Sequence, residues 1–346
     1  MKNIAIVFNK ESGVSYHRLQ SWAYWMHDNE MIKLHVIQPG LDVQAVEKYL
    51  KGIDVLIFNR LFGPDETCVD TIKAAQAMGV KVICDIDDSW NLHKGHLLET
   101  MYKAQGTSAR IEDCIKASNQ VWCTHELLAQ DIRLLNNNVA IIPNAINLNE
   151  KQWNVARQPS NIFGWVGSRA HGVDLEILRK PMQKYWKDRD LSWGVALGGF
   201  DYGSPDTSLQ FEDILTGGRI APKTRYHRLE TLPIDKYAML YDAIGVGIVP
   251  LADNAFNKRK SELKALEFAA KRRTVIVSNI HPYTNICTEK NSYLCDEPMD
   301  FYRAMRKVEK KPHQAIQKAE QLRQDMADLY NWEKICYLRL EHLSSL

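Results

Sequence analysis

The sequence lacks the features that mark several large classes of protein. No apolar run approaches ~18 residues, the length that a membrane-spanning helix needs, so we expect no membrane span. The opening segment MKNIAIVFNK has no signal-peptide core. Seven cysteines occur without any C-x-x-C spacing, which is typical of a reduced compartment and argues against a structural zinc site. We therefore expect a cytoplasmic protein that holds no metal.

Net charge and phosphate-binding motifs are also scarce. The 44 Lys and Arg residues against 42 Asp and Glu residues leave a formal charge of +2, so the surface as a whole has little attraction for nucleic acid. A local basic patch is still compatible with this value. The sequence contains no G-x-G-x-x-G, which argues against a dinucleotide fingerprint, and no G-x-x-x-x-G-K-[ST], which argues against a P-loop kinase.

What the sequence does contain is a long alternation of short apolar runs and helical periodicities. Its 346 residues suffice for two domains. Apolar runs predict strands at residues 3–8, 33–38, 54–59, 81–85, 120–123 and 139–142, and again at 161–166, 193–197 and 245–250. Residues 274–286 are predicted to form a buried strand that ends in a polar turn. Helical patterns between them predict two doubly wound parallel sheets, in two Rossmann-like α/β domains that face each other across a cleft. Residues 147–160 are the predicted hinge, and residues 200–224 are predicted to form a long loop.

The segment FNKRKSELKALEFAA, residues 256–270, has the strongest local signal for phosphate binding. Basic residues precede a helical pattern, and Ser261 is placed to cap its first turn. A helix N-terminus has unpaired N–H groups and a partial positive charge, which suit a phosphate. Lys264 and Glu267 are three residues apart and share one helix face. The alternative is a solvated basic amphipathic helix.

Two further strand-to-helix turns have similar features. Gly13 precedes a helix whose first turns carry Tyr16, His17 and Arg18, and a second glycine turn follows the strand at 161–166. Glycine lets the backbone approach a ligand closely, and ligands of open parallel sheets bind beyond the carboxyl ends of the strands. The alternative for a lone His or Arg at a helix start is a surface or capping role.

Three carboxylates lie within four residues at the carboxyl end of the strand at 81–85. Asp85, Asp87 and Asp88 precede Trp90, and such a cluster is costly unless solvent, a cation or a donor group satisfies it. The cluster could chelate a divalent metal, hydrogen-bond to sugar hydroxyls, or deprotonate an acceptor hydroxyl. It could also cap the next helix. The residues leave these alternatives open.

Two segments carry a resemblance to a known family. KSELKALEFAAKRRTVIVSNIHPY (residues 260–283) and PNAIN (residues 143–147) resemble the nucleotide-sugar site and the domain crossing of GT-B glycosyltransferases, specifically retaining family 4 and its phage-encoded relatives. The resemblance implies that Glu267 holds the ribose and that the region of Ile234 contacts the nucleobase. Arg259 stands where many members have a sugar-binding Glu, and His171 stands where members have a Lys.

The resemblance also implies a division of the chain and a set of site residues. It implies an N-terminal acceptor domain at 1–146, a nucleotide-sugar domain at 147–330, and a last helix at 331–346 that crosses back to the first domain. The candidate catalytic residues are Asp87, Asp88, Arg169 and Lys264. The donor-binding candidates are Gly13, Gly167, Ser168, Arg169, Ile234, Lys260, Ser261, Lys264 and Glu267. The acceptor-binding candidates are Tyr16, His17, Arg18 and Trp90.

The implied reaction is a retaining glycosyl transfer from a nucleoside diphosphate sugar, with UDP-glucose favoured, by a hexosyltransferase that needs neither metal nor cofactor. The phage-type resemblance favours a hydroxymethylated pyrimidine in phage DNA as the acceptor, in the host cytoplasm, with Arg60, Lys94, Lys103 and Arg110 as candidates for a basic stripe. The alternatives are a glycan or small-molecule acceptor, and an epimerase or sugar-nucleotide-binding module of the same architecture. The protein is expected to be a monomer or a homodimer.

Overall fold

The computed structural model describes residues 1–8, 12–62, 67–155, 158–199, 205–218 and 225–346. Two sheets of six parallel strands organise the chain, which confirms the predicted α/β class. The first sheet contains β1 (Lys2–Val7), β2 (Ile32–Ile37), β3 (Val55–Asn59), β4 (Lys81–Ile86), β5 (Gln120–Cys123) and β6 (Val139–Ile141). The second contains β7 (Ile162–Val166), β8 (Gly194–Gly198), β9 (Tyr226–Arg228), β10 (Val246–Val249), β11 (Thr274–Ser278) and β12 (Tyr293–Cys295). Below, the elements up to β6 are the first half and those from β7 to β12 the second half.

Helices cover both faces of each sheet, so the central strands are mostly apolar and buried. In the first half they are α1 (Gly13–Ser15), a π-helical segment (Tyr16–Gln20), α2 (Ser21–Asp28), α3 (Val46–Leu50), α4 (Cys68–Ala77), α5 (Glu99–Gln105), α6 (Thr107–Ala117) and α7 (Glu126–Arg133). Later in the chain they are α8 (Gly172–Glu176), α9 (Arg179–Asp188), α10 (Pro205–Leu215), α11 (Leu263–Ala270), α12 (Pro298–Lys310), α13 (Pro312–Leu329) and α14 (Trp332–Ser345).

Strand order decides which loops meet. The first sheet runs β2-β1-β3-β4-β5-β6 and the second runs β12-β11-β10-β7-β8-β9, with every pairing parallel. The order of the first sheet reverses around β1, and that of the second around β7, so each has a crevice at the carboxyl ends of its strands. The register pairs Asn59 at the end of β3 with Asp85 in β4. The loops after β1, β3 and β4 therefore lie together.

The prediction of one long loop at 200–224 is wrong in part. Residues 205–215 form α10, which packs Phe211, Ile214 and Leu215 into the core of the second sheet. Pro205 begins this helix, where its missing N–H costs nothing, and the apolar residues recur at helical spacing. Residues 200–204 and 219–224 lie outside the described part of the chain.

The last helix returns to the first half. Trp332 and Cys336 of α14 are buried in one cluster with Ile4 and Trp22. The Lys2 ammonium also donates to the carbonyl oxygen of Leu343 at 2.7 Å. Domain limits at residues 146 and 330 stay a prediction. Within the described ranges, no helix combines the length and the apolar character that crossing a membrane requires.

Candidate active site between the two sheets

The helix α11 begins one residue later than the capping prediction required. Its N-cap residue is Glu262, and the side chain makes no capping hydrogen bond. The prediction that Ser261 caps the first turn is therefore wrong, because its hydroxyl accepts a hydrogen bond from Asn144 Nδ2 at 2.8 Å. Ser261 thus ties the entry of α11 to the end of the first half. The predicted shared face of Lys264 and Glu267 is present, since both side chains line the same cavity.

This cavity, called the donor cavity below, has a volume of about 320 Å³. Its walls are the glycine turn after β7, the segment from Thr231 to Tyr241 and one face of α11. Of the predicted donor residues, Gly13, Gly167, Ser168, Ile234, Lys264 and Glu267 all line it. His17, predicted to bind the acceptor, reaches it from the first half. The cavity is therefore assembled from both halves of the chain.

Lys264 lies against the glycine turn. Its ammonium donates to the carbonyl oxygen of Val166 at 2.9 Å and lies 5.6 Å from the ring centroid of Trp165. A Cβ on Gly167 would lie 2.6 Å from the Trp165 ring and 2.9 Å from Lys264 Nζ, so only glycine leaves room here. Burial lowers the pKa of Lys264, although the nearby Glu267 opposes that shift. Among the described residues, its ammonium forms no ion pair closer than 4.0 Å.

Glu267 is held by three side chains. Tyr237 and Tyr241 each donate a hydroxyl proton to one of its carboxylate oxygens at 2.6 Å. His17 Nε2 lies 3.3 Å from the carboxylate and 2.6 Å from the Tyr237 hydroxyl oxygen. Because Tyr237 has a single proton and donates it to Glu267, His17 Nε2 must donate its own proton to the Tyr237 oxygen.

These contacts keep Glu267 ionised. Burial alone would raise the pKa of Glu267, but the hydrogen bond and charge of His17, with Lys264 and Tyr237, lower the pKa overall. Each carboxylate oxygen has further lone pairs beyond those the tyrosines use, so Glu267 can still accept a hydrogen bond from a ligand hydroxyl. Its role with ribose stays a prediction.

The second cavity, called the carboxylate cavity below, has a volume of about 540 Å³ and contains Asp87, Asp88, Arg60 and Lys260. Arg60 Nε donates to Asp87 at 3.0 Å. Asp88 is held more loosely, with Lys260 Nζ at 3.8 Å and an Arg60 nitrogen at 3.9 Å. Ser168 lines both cavities, so they meet at the turn after β7.

The two carboxylates differ in acidity. Burial raises the pKa of Asp88, and the neighbouring Asp87 charge adds to this shift, while Lys260 opposes it. Burial also acts to raise the pKa of Asp87, but Arg60 and the Asn59 hydrogen bond outweigh it and lower the pKa. Asp88 is therefore the carboxylate more suited to accept a proton.

Asp85 belongs to neither cavity. It is fully buried and forms an ion pair with Arg18 through the guanidinium Nε and a terminal nitrogen. Arg18 also donates to the carbonyl oxygen of Ile142 at 2.7 Å and to Asn144 Oδ1 at 3.2 Å. With an exposure of 1%, Arg18 is not presented to the cleft, and its pair with Asp85 is structural.

Two other acceptor candidates line neither the donor cavity nor the carboxylate cavity. Tyr16 is buried, with its hydroxyl donating to Glu150 and accepting from Gln152 at 2.9 Å. Trp90 is buried and donates through Nε1 to Glu112 at 3.0 Å. Buried aromatic rings are not free to stack on a base. The predicted acceptor roles of Tyr16, Arg18 and Trp90 thus gain no support from where these side chains lie.

The predicted phosphate-neutralising residues are distributed unequally. Lys264 lines the donor cavity and Lys260 the carboxylate cavity, whereas Arg169 is exposed on a 3₁₀ turn. His171 shares a hydrogen bond of 2.7 Å with Asp174, and burial together with the Lys260 charge lowers the pKa of His171 to about 3. His171 is therefore neutral at pH 7, which leaves Lys260 and Lys264 as the cations beside the turn.

Several residues of the cleft were not predicted from sequence as donor-site or catalytic residues. Arg60 follows β3 just as the aspartates follow β4, so the rule for carboxyl strand ends could have found it. Tyr237 and Tyr241 have helical spacing, but nothing in that spacing says that both hydroxyls meet Glu267. Arg259, at the position of the missing sugar contact, pairs instead with Asp131 of the first half. No group of three or more His, Cys, Asp or Glu side chains within the described ranges could hold a metal ion.

Comparison with known proteins identifies the fold. No protein-family model and no curated protein matches the sequence. HepE from Anabaena, crystallised with UDP and glucose, is similar over 100% of both chains, with a TM-score of 0.72 and 11% identity. Sucrose-phosphate synthase from Thermosynechococcus elongatus is similar over 100% of this chain and 98% of that chain, with a TM-score of 0.72 and 13% identity.

TarM from S. aureus, in complex with Fondaparinux, alpha-GlcNAc-glycerol and UDP, has a TM-score of 0.65 and 14% identity. The match covers 87% of this chain and 58% of the TarM chain, so this chain spans less than two thirds of TarM. At these identities the likeness establishes the fold, two parallel six-stranded sheets in the GT-B arrangement.

Proposed function

We propose that the chain is a glycosyltransferase that uses a nucleoside diphosphate sugar. The observation that carries the proposal is the pairing of Lys264 and Glu267 on one face of α11, opposite the glycine turn at Gly167. An ammonium without a carboxylate partner suits a diphosphate, and a buried ionised carboxylate suits ribose hydroxyls. Structural neighbours with the same fold were crystallised with UDP or UDP-glucose, which supports a UDP-sugar as donor.

The proposed transfer is retaining and moves a hexose, with glucose favoured. The bond between the anomeric carbon and the leaving phosphate oxygen breaks, the acceptor oxygen bonds on the same face, and the acceptor proton passes to the leaving group. Lys264 and Lys260 would stabilise the charge that develops on the diphosphate, a type of stabilisation that can dominate catalysis. Arg169 is proposed to contact the diphosphate when a bound donor moves its side chain from the exposed position. Asp87 and Asp88 are proposed to form the acceptor site without a metal, with Asp88 binding the acceptor hydroxyl and Asp87 positioning Arg60 beside it.

A donor panel tests this function directly. The protein is incubated with UDP-, GDP- and ADP-sugars in turn, and free nucleoside diphosphate is measured. Release from at least one donor is the expected result, with the Lys264→Ala variant as the matched negative control. A module that only binds would retain the intact donor, and an epimerase would convert the donor sugar without releasing UDP. Either outcome contradicts the proposal.

A modified pyrimidine in DNA remains the proposed acceptor from sequence, and one observation bears on it. Among the described residues that line the carboxylate cavity, Arg60 and Lys260 balance Asp87 and Asp88. Among the predicted stripe residues, Arg60 pairs with Asp87, and Lys103 pairs with Glu99 at 2.6 Å. A cavity of this kind suits an uncharged hydroxyl acceptor, so a glycan or small molecule is the second candidate.

A salt series separates the two acceptors. Transfer to hydroxymethylated duplex, compared with the unmodified duplex, should fall steeply between about 50 and 200 mM salt if DNA phosphates are bound, because each neutralised phosphate releases counterions. A glycan acceptor would give transfer that is nearly insensitive to salt over this range. Transfer to the duplex that ignores salt, or no transfer to it from any donor, would reject the DNA acceptor and leave the second candidate.

A further inference from the structure

The carboxylate cavity has a large apolar wall beside its charged groups. Of the seventeen described lining residues that come from the first half, ten are apolar or aromatic. Those whose side chains stay at least partly exposed are Val14, Pro39, Leu61, Leu92, Leu98 and Tyr102. Ligand cavities commonly combine such walls with a few polar groups that fix the orientation of the ligand. The wall therefore indicates a ligand that has an apolar part as well as a polar one.

The apolar wall is supported by the core of the first half. Leu61 directly follows Arg60, and Leu98 and Tyr102 are one turn apart at the start of α5. Leu61 and Tyr102 pack against the hydrophobic cluster on one face of the first sheet while they also line the cavity. The wall is thus held in position by buried neighbours, so a ligand that covers it does not have to order it first.

The charged groups of the cavity lie next to the donor cavity. Arg60 and Asp87 follow the paired strands β3 and β4. Asp88 is 3.8 Å from Lys260 of the second half, and Ser168 lines both cavities. A ligand hydroxyl at Asp88 therefore lies on the side where the donor sugar would enter, and the rest of the ligand extends along the wall of the first half.

The described lining residues leave no net charge for an ionised ligand. Arg60 and Lys260 balance Asp87 and Asp88. Burial and the neighbouring His93 lower the pKa of His96 to about 4, so His96 is neutral at pH 7, as is His171. A neutral cavity with an apolar wall favours an uncharged ligand, because a charged one would lose its hydration without gaining an opposite charge.

We propose that the acceptor is an uncharged alcohol with an aliphatic chain, which places its hydroxyl at Asp88 and its chain against Leu61, Leu98 and Tyr102. This inference rests on the proposed glycosyl transfer and narrows its small-molecule acceptor. The acceptor oxygen bonds to the anomeric carbon, and its proton passes to the leaving diphosphate oxygen. At about 540 Å³ against about 320 Å³ for the donor cavity, the carboxylate cavity has space for the chain as well as the hydroxyl.

A chain-length series tests the proposal by binding alone. The full chain is titrated calorimetrically with methyl, butyl and hexyl β-D-glucosides, at concentrations where no micelles form. The affinity should rise about fourfold for each added CH2, because a buried CH2 contributes roughly 0.8 kcal/mol. Equal affinities for the three glucosides would overturn the proposal. So would the absence of binding by hexyl glucoside up to about 10 mM, or tighter binding of 5-hydroxymethyldeoxycytidine than of hexyl glucoside.

A pair of neighbouring leucines locates the effect in the cavity. Leu98→Asn should weaken binding of hexyl glucoside about fivefold, because the half-buried side chain gains only part of the roughly 1.5–3 kcal/mol of full burial. Leu98 is the N-cap residue of α5, a position that favours Asn, so the variant should fold. Leu97→Asn is the matched control, since Leu97 is 48% exposed and does not line the cavity. Equal effects of the two substitutions would overturn the assignment.

The binding series separates this inference from the proposed function. Affinity that rises with chain length, without transfer from any donor, would support the apolar site and reject the glycosyl transfer. Release of nucleoside diphosphate from a donor, with an acceptor affinity that does not depend on chain length, would support the transfer and reject an aliphatic acceptor. Both proposals hold if kcat/KM for transfer rises with chain length in parallel with the affinity and falls in Leu98→Asn.

Discussion

The donor cavity and the carboxylate cavity share a wall at Ser168, yet they differ in whether their cationic side chains form ion pairs. In the donor cavity Lys264 faces a backbone carbonyl and has no acidic partner within ion-pair distance among the described residues. In the carboxylate cavity each aspartate already has a cation beside it, Arg60 for Asp87 and Lys260 for Asp88. The Lys264 ammonium therefore has no direct ion pair although the Glu267 carboxylate lines the same cavity, whereas the described charges of the carboxylate cavity are paired before any ligand enters.

This difference indicates which ligand each cavity suits. A diphosphate needs cations that are not neutralised by the protein, since an existing ion pair would have to be broken on binding. A sugar or acceptor hydroxyl is uncharged and needs oriented donors and acceptors instead. The ion pairs hold Asp87 and Asp88 in place, which suits that purpose. Under the proposed function, the cleft therefore has a proposed phosphate side at Lys264 and a proposed hydroxyl side at the two aspartates.

Removal of the Lys264 ammonium should have the largest effect on turnover. Lys264→Ala is expected to lower turnover about 10²- to 10³-fold, comparable to the loss of one transition-state donor. Lys184→Ala, a surface lysine that pairs with Asp188, is the control and should have wild-type turnover. Rates of nucleoside diphosphate release measure the effect. Wild-type turnover by Lys264→Ala would mean that the donor cavity does not hold the diphosphate.

Acid should destabilise the wall of the balanced cavity through His171. Its pKa in the folded protein, about 3, lies below the ordinary value of 6.5, so the unfolded chain takes up the proton first as the pH falls. The stability that this group contributes is complete above pH 6.5 and is lost progressively below it. Between pH 6.5 and 5 the loss should be roughly 2 kcal/mol, at 1.36 kcal/mol for each pH unit.

Thermal unfolding of His171→Gln at several pH values measures this contribution. The variant should lose less stability than wild type between pH 6.5 and 5, while its turnover stays within about threefold of wild type, because a neutral side chain neutralises no phosphate. His227→Gln, at an exposed position, should keep the wild-type pH dependence. Parallel pH profiles for wild type and His171→Gln would show that folding does not lower the pKa of His171.

The two aspartates should respond differently to the same change. Asp88→Asn is expected to lower kcat/KM for the acceptor roughly tenfold, the value of one charged hydrogen bond, with little change for the donor. Asp87→Asn should instead lower the melting temperature, because Arg60 and Asn59 lose their partner. Equal losses of acceptor kcat/KM in both variants would remove the distinction between a ligand-binding and a positioning carboxylate.

The smallest expected effect concerns a surface ion pair between the two halves of the chain. Arg259 of the second half pairs with Asp131 of the first half, and both side chains are partly exposed. A double-mutant cycle of Arg259→Ala and Asp131→Ala should give a coupling energy of about 0.2–1 kcal/mol in unfolding, the range for exposed pairs. A coupling above about 2 kcal/mol would assign this single pair a dominant role in closing the cleft.

Most of the fold could be predicted from sequence because its signals are local. The runs that became β3, β4 and β5 are apolar and short, and their predicted bounds differ from the observed ones by at most one residue. By contrast, β9 and β12 have three residues each and no clear alternation. They form strands because they pair with neighbouring strands, which the local sequence does not show. The helix α10 was not predicted because the residues around it are rich in Gly and Pro, which is typical of loops.

The site was predictable where one helix supplies the residues and was not where the two halves meet. Lys264 and Glu267 are set by helical spacing alone. Burial of Arg18 depends on Asp85 and Asn144, which lie 67 and 126 residues further along the chain. The partners of Glu267 come from two separate segments of the chain. No local pattern encodes such long-range pairs, so an Arg at a helix start reads as a ligand contact from sequence.

The return of α14 to the first half affects how the protein is made. The cluster around Ile4 and Trp22 is completed by Trp332 and Cys336, and Lys2 bonds to a carbonyl 341 residues away. At 5–20 residues per second, the ribosome needs roughly 10–40 s to add the chain between β6 and the last helix. During that interval the first half carries an uncovered apolar face. Chaperone demand and misfolding during synthesis should therefore concentrate on the N-terminal half of the chain.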